Sequence, residues 1–165
     1  MCAIVDASVI GELWDSSSSE AGQGFRRWIE GPSGRLVVGG KLRQELGSSN
    51  AARFLQELDR TGRLTSVDDV QVDRLAVSLK RRPSSHPGSC KSNDHHVIAL
   101  AQISGARMLY SNDRALQQDL KNQRLIDQPP GTVYSTLGSK AFNSRRRTQL
   151  RQHQCQQAET GGSPV

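Results

Sequence analysis

Short, almost wholly apolar runs alternate along this chain with longer segments in which apolar residues recur every three or four positions. The first run, "CAIVDA", has the length and composition of a strand buried on both faces, and it ends in Asp6. A helix is predicted from Ser8 to Trp14, followed by a polar turn and a second helix bearing Phe25, Trp28 and Ile29, stopped at Gly31-Pro32. "RLVVGG" is a second strand, and "KLRQELG" and "NAARFLQELDRTG" read as two helices, each closed by a glycine. "RLTSV" is a third strand. The helix "DDVQVDRLAVSLKRR" then begins with Asp68 and ends with Lys80, Arg81 and Arg82, the charge polarity that suits its dipole.

A polar loop, "PSSHPGSCK", leads into "SNDHHVIALAQISG", a strongly apolar helix that Ser92 or Asn93 can cap and Gly105 ends. "ARMLYS" is a fourth strand, "NDRALQQDLKN" a helix, and "RLI" a candidate fifth strand. Residues 128–139 read as irregular or as a weak edge strand. Strands alternating with helices imply an α/β fold with a mostly parallel sheet of four or five strands, covered on both faces.

The length of 165 residues fits one domain with a sizeable core. Charge divides it unevenly. Residues 140–165 carry Lys140, Arg145, Arg146, Arg147 and Arg151 against Glu159 alone, a net +4 that leaves +2 of the total +6 for residues 1–139. With few apolar side chains to bury, residues 140–165 are expected to form a basic, disordered tail that either aids solubility or hastens encounter with a polyanion. No apolar run reaches the roughly 18 residues of a membrane span, and the start lacks the basic segment of a signal peptide, so a cytoplasmic protein is expected. Three scattered cysteines (Cys2, Cys90, Cys155) do not suggest a disulfide framework.

Ligands of open parallel sheets bind beyond the carboxyl ends of the strands. Asp6 ends the first strand, Asp113 follows the fourth by two residues, and Asp94 begins the helix leading into the fourth. Glu45 lies in the short helix after the second strand. Asp94 and Asp113 each suit a helix N-terminus, where a carboxylate favours the dipole. Asp6 has no such duty, since Ser8 can begin the next helix. Four carboxylates converging on one crevice would repel one another unless cations lay between them, and hard ions such as Mg²⁺ or Mn²⁺ prefer oxygen donors.

The pieces "IVDASVI", "GGKLRQELG", "NDHHVIALAQISGARML" and "SND", in this order, resemble those of the PIN domain family over residues 1 to about 127. The resemblance implies a three-layer α/β/α sandwich and a metal-dependent ribonuclease; small bacterial members are commonly toxins of toxin–antitoxin pairs (the VapC-like proteins). It implies that Asp6, Glu45, Asp94 and Asp113 are the catalytic acids holding Mg²⁺ or Mn²⁺, with Ser8 and Ser111 orienting carboxylates or waters behind them. It further implies an RNA substrate, a homodimer and a cognate antitoxin. Lys41, Arg43 and Arg114 lie close in sequence to the acids and are candidate contacts to the RNA backbone, or ordinary surface charges.

Three other patterns compete. His86, Cys90, His95 and His96 would have to converge for zinc, but the spacing H-x₃-C-x₄-H-H offers one thiolate and lacks the paired ligands of structural zinc sites. "DHH" matches the DHH phosphoesterases in that tripeptide alone, and "GRLVVGGKL" fails the P-loop pattern because Leu42 stands where Ser or Thr is required. A catalytically silent PIN-like module that binds RNA or protein is the remaining alternative. A four-carboxylate cluster would serve it no purpose, and the few aromatics offer no evident stacking platform.

Overall fold

The computed structural model describes residues 1–13, 19–48 and 50–137. The basic tail predicted over residues 140–165, and Trp14 at the end of the first predicted helix, lie outside them. The described chain is α/β, with a five-stranded, all-parallel sheet between helical layers. In chain order the strands are β1 (Cys2–Val5), β2 (Arg35–Val38), β3 (Leu64–Ser66), β4 (Met108–Tyr110) and β5 (Thr132–Tyr134). The α-helices are α1 (Glu20–Glu30), α2 (Gly40–Gly47), α3 (Ala52–Arg60), α4 (Asp69–Lys80), α5 (His95–Ser104) and α6 (Arg114–Lys121). A 3-10 helix at Ala7–Leu13 takes the place of the α-helix expected after the first strand.

The strand order is β3-β2-β1-β4-β5. The chain therefore works outward from β1 to one edge, then returns to its other side with β4, so the order reverses between β1 and β4. Ala3, Ile4 and Val5 pair in register with Met108, Leu109 and Tyr110. The two central strands are buried on both faces, which is why each reads as a continuous apolar run. The fifth strand is not "RLI": residues 124–126 turn back on Asn122, whose carbonyl accepts from the Leu125 and Ile126 amides. Leu125 and Ile126 are buried by packing rather than by pairing, so three apolar-flanked residues mimic a strand. Thr132–Tyr134, in the segment read as a weak edge strand, pairs with β4 instead.

Helix boundaries follow local chemistry. Ser19 caps α1 by accepting from the Gly22 amide at 3.1 Å, and Asp68 caps α4 by accepting from Gln71 at 2.8 Å. Gly105 closes α5 in the left-handed region, φ 71°. Cys90 is a free thiol and Cys2 is disulfide-bonded. Among the described residues no helix is long and apolar enough to cross a membrane.

The seating of α2 rests on α4. The Gly40 amide donates to Asp69 at 2.7 Å and the Lys41 amide to Asp73 at 3.3 Å, so two carboxylates of α4 satisfy the first turn of α2. Gly40 itself has φ 55°, and a Cβ there would lie 2.6 Å from Asp73 Oδ1 and 2.8 Å from Val72 Cγ1. Gly40→Ala is expected to lower unfolding stability by about 1–3 kcal/mol, from left-handed strain and displaced Asp73. Urea denaturation measures it; an unchanged midpoint would show that α2 is not seated this way.

Candidate active site at the carboxyl edge of β1 and β4

The crevice where strand order reverses is lined by the segments that leave β1 and β4. The Asp6 amide still donates to the Tyr110 carbonyl, so the ladder ends as the Asp6 side chain emerges over the sheet edge, only 8% exposed. Both oxygens of its carboxylate accept hydrogen bonds. Oδ2 accepts from Ser111 Oγ at 2.7 Å and Ser8 Oγ at 2.8 Å, and Oδ1 accepts from the Ser8 amide at 3.2 Å. Ser111 is buried at 0% exposure and ties three groups together: its hydroxyl donates to Asp6 and accepts from the Asp113 amide at 3.0 Å, and its carbonyl accepts from Gln117. Ser8 and Ser111 thus both stand behind Asp6.

Asp94 and Asp113 look alike in sequence, each preceded by "SN", yet their side chains differ in duty. Asp113 accepts from the Leu116 amide at 2.8 Å and caps α6. Asp94 occupies the N-cap position of α5 but makes no capping hydrogen bond, while Ser92 Oγ accepts from the Asp94 amide at 3.4 Å. Its carboxyl is instead held above the usual carboxylate range, first by burial, then by the charge of Asp6, with Asp113 and Glu45 adding repulsion and His96 opposing it. Asp94 therefore feels the charge of the other three acids, which reach it from separate connections of the chain.

Glu45 is turned toward one lysine and a ring nitrogen. Lys41 Nζ stands 3.1 Å from Oε1, and His96 Nε2 stands 3.2 Å from Oε2. His96 is 5% exposed, buried at the start of α5 against the carboxylate of α2. Sequence reasoning raises this residue only as a candidate zinc ligand and misses its contact with Glu45. Nothing in its local pattern distinguishes it from His95, whose ring contacts the Asn93 carbonyl at the surface. The zinc pattern dissolves accordingly: His86 accepts from the Gly88 amide, Cys90 lies beside Asp119, and the two α5 histidines point to different partners.

Among the described residues no three His, Cys, Asp or Glu side chains stand together in metal-ligand geometry. Asp113 gives one oxygen to its cap, and Glu45 is paired with Lys41 and His96. The donor set nevertheless fits a hard divalent ion: carboxylate oxygens and hydroxyls, without thiolate.

Two further groups shape the crevice without a sequence signal. Asp119, 1% exposed, accepts from the Lys91 amide with both oxygens (2.8 and 3.0 Å) and from the Ser92 amide at 2.8 Å, so it anchors the segment that delivers Asp94. Asn112 accepts from Ser135 Oγ and the Thr136 amide and donates to Thr136 Oγ1 and Glu12, pinning the residues after β5 to the rim. Of the cations predicted to meet RNA, Lys41 and Arg114 are exposed beside Glu45 and Asp113. Arg43 donates to the Val67 carbonyl at 3.0 Å and pairs with Asp69 at 3.3 Å, joining α2 to the start of α4.

Fold and crevice define a class: an open, parallel α/β domain with an acidic site at its switch point. Compared with protein-family models and with curated proteins, the chain matched none.

Proposed function

We propose that the protein is a Mg²⁺- or Mn²⁺-dependent ribonuclease of the PIN type, with Asp6, Asp94 and Asp113 as metal ligands and Glu45 acting directly or through water. The observation that carries this reading is Asp94: a half-buried carboxylate at a helix start that caps nothing and sits in the repulsive field of three others. The charged form of Asp94 is disfavoured there without a metal, and a bound cation would relieve it. When bound, the ion would lower the pKa of an attacking water and offset charge on the phosphate. The chain's own contribution is positioning. Ser8 and Ser111 fix both oxygens of Asp6, the cap to Leu116 fixes Asp113, and Lys41 with His96 fixes Glu45. Through the same resemblance the proposal extends to the toxin of a toxin–antitoxin pair, with a homodimer and a cognate antitoxin as protein partners.

A silent PIN-like module that binds RNA or protein is the second reading, favoured by the absence of a ligand cluster among the described residues. One variant separates the two. Asn caps helices as well as Asp does, so Asp113→Asn keeps the start of α6 and removes only the charge. Incubated with structured RNA and Mn²⁺, the wild type is expected to cleave and Asp113→Asn to be slower by at least about tenfold. Wild-type protein that binds RNA and never cuts it with either metal would establish the silent module instead.

A further inference from the structure

Beside the acidic crevice lies a groove of about 250 Å³ between α2, α4 and the start of α5. Its rim carries Lys41, Lys80, Asn93 and His95, and its wall includes Val77 and Asp73. We infer that this groove binds the nucleotide adjoining the one at the carboxylates, taking its phosphate on Lys80, its sugar at Asp73 and its apolar surface on Val77. The inference rests on the ribonuclease reading of the crevice and gives the strand a path away from it.

Continuity places the groove on that path. Lys41 reaches Glu45 at 3.1 Å, Asn93 directly precedes Asp94, and His96 belongs both to the groove wall and to Glu45. A strand whose scissile phosphate lay at the acids would therefore have its neighbouring nucleotide here. Lys41 is paired with Glu45, so Lys80, exposed on the rim, supplies the charge that faces a phosphate, in a groove whose neighbour is a patch of like-charged carboxylates that repel phosphate. Val77 is 48% exposed, a large apolar side chain in the middle of a polar rim. A lysine, a side-chain amide and one apolar surface together match the parts of a nucleotide. Asp73 decides the kind of nucleic acid. A carboxylate cannot accept from a phosphate oxygen, but it can accept from the 2′-hydroxyl that only RNA presents.

The test measures binding apart from cutting. Fluorescein-labelled single-stranded RNA, and DNA of the same sequence, are titrated with protein in EDTA and followed by fluorescence anisotropy at several salt concentrations. Lys80→Ala is expected to weaken RNA binding about five- to tenfold and to reduce the salt slope by about one. Val77→Asp is expected to weaken it at least as much, by placing a negative charge beside the phosphate. Arg60→Ala, exposed on α3 outside the groove, should change it less than about twofold. Both groove positions are exposed, so the variants should fold, which circular dichroism checks; Lys80→Gln substitutes if Lys80→Ala does not. Wild-type affinity in both groove variants, or no RNA binding by the wild type, overturns the proposal. Equal binding of RNA and DNA overturns the role of Asp73. Lys80-dependent binding in a protein that never cleaves RNA with Mn²⁺ would refute the ribonuclease reading while keeping the groove. Cleavage with Mn²⁺ whose KM is indifferent to Lys80 would do the reverse.

Discussion

Asp94→Asn is expected to abolish Mn²⁺-dependent RNA cleavage and, in the same protein, to raise the melting temperature measured without metal. The first effect comes from loss of a ligand and should be at least about a hundredfold, since even residues behind the ligands contribute about 10- to 100-fold. The second comes from the repulsion that Asp94 suffers. Its carboxyl is raised above the ordinary 3.8 by burial and then by Asp6, Asp113 and Glu45, so the folded chain holds that proton more tightly than the unfolded chain. Stability from this group is greatest below the ordinary value and falls as pH rises through the folded-state value. At neutral pH the ionised group therefore works against folding, and the neutral amide removes that cost. Mn²⁺ should raise the melting temperature of the wild type and leave that of Asp94→Asn nearly unmoved. A variant that cleaves at the wild-type rate would remove Asp94 from the site. One that melts lower than wild type in EDTA would show that the four acids do not strain the fold.

Asp119→Ala is expected to have the largest effect on stability, about 2–5 kcal/mol in urea denaturation. The methyl group would leave the buried Ser92 amide and the part-buried Lys91 amide without their acceptor, and a buried orphan costs about 1–3 kcal/mol. The same variant should lose activity, because those two amides lie two and three residues before Asp94. Cys90 reports the change independently. Its thiol is pushed up to about 11, by burial first and by the Asp119 charge second, with Arg82 opposing. In the wild type, labelling of Cys90 by a maleimide at pH 8 should be slow and should quicken as pH rises; in Asp119→Ala it should be faster at the same pH. Peptide mapping by mass spectrometry assigns the label. An unaltered labelling rate together with an unaltered urea midpoint would show that Asp119 does not hold this segment.

Most of the fold is legible in the sequence because buried parallel strands are short apolar runs and the helices carry period-3.6 patterns with recognisable ends. Ser19, Asp68 and Gly105 mark boundaries by local hydrogen bonding or by φ, and such signals act over three or four residues. "RLI" misleads for the same reason. An apolar triplet buried by packing cannot be told from a strand until its neighbours are known, and β5 forms from a less apolar triplet because an edge is open beside β4.

The sequence by itself determined which residues could be acids of a site, Asp6 at a strand end and Asp94 and Asp113 at helix starts, because those positions are set by local periodicity. Only the tertiary structure decided what each carboxylate does. Asp113 caps, Asp94 does not, and Glu45 is held by Lys41 and by a histidine 51 residues away. Asp119 and the Asp69–Gly40 contact likewise join segments about 30 residues apart. The physical reason is range. Capping and periodicity are written within one turn of chain, whereas repulsion among carboxylates and the partners of buried polar groups depend on which connections the sheet order brings to one edge.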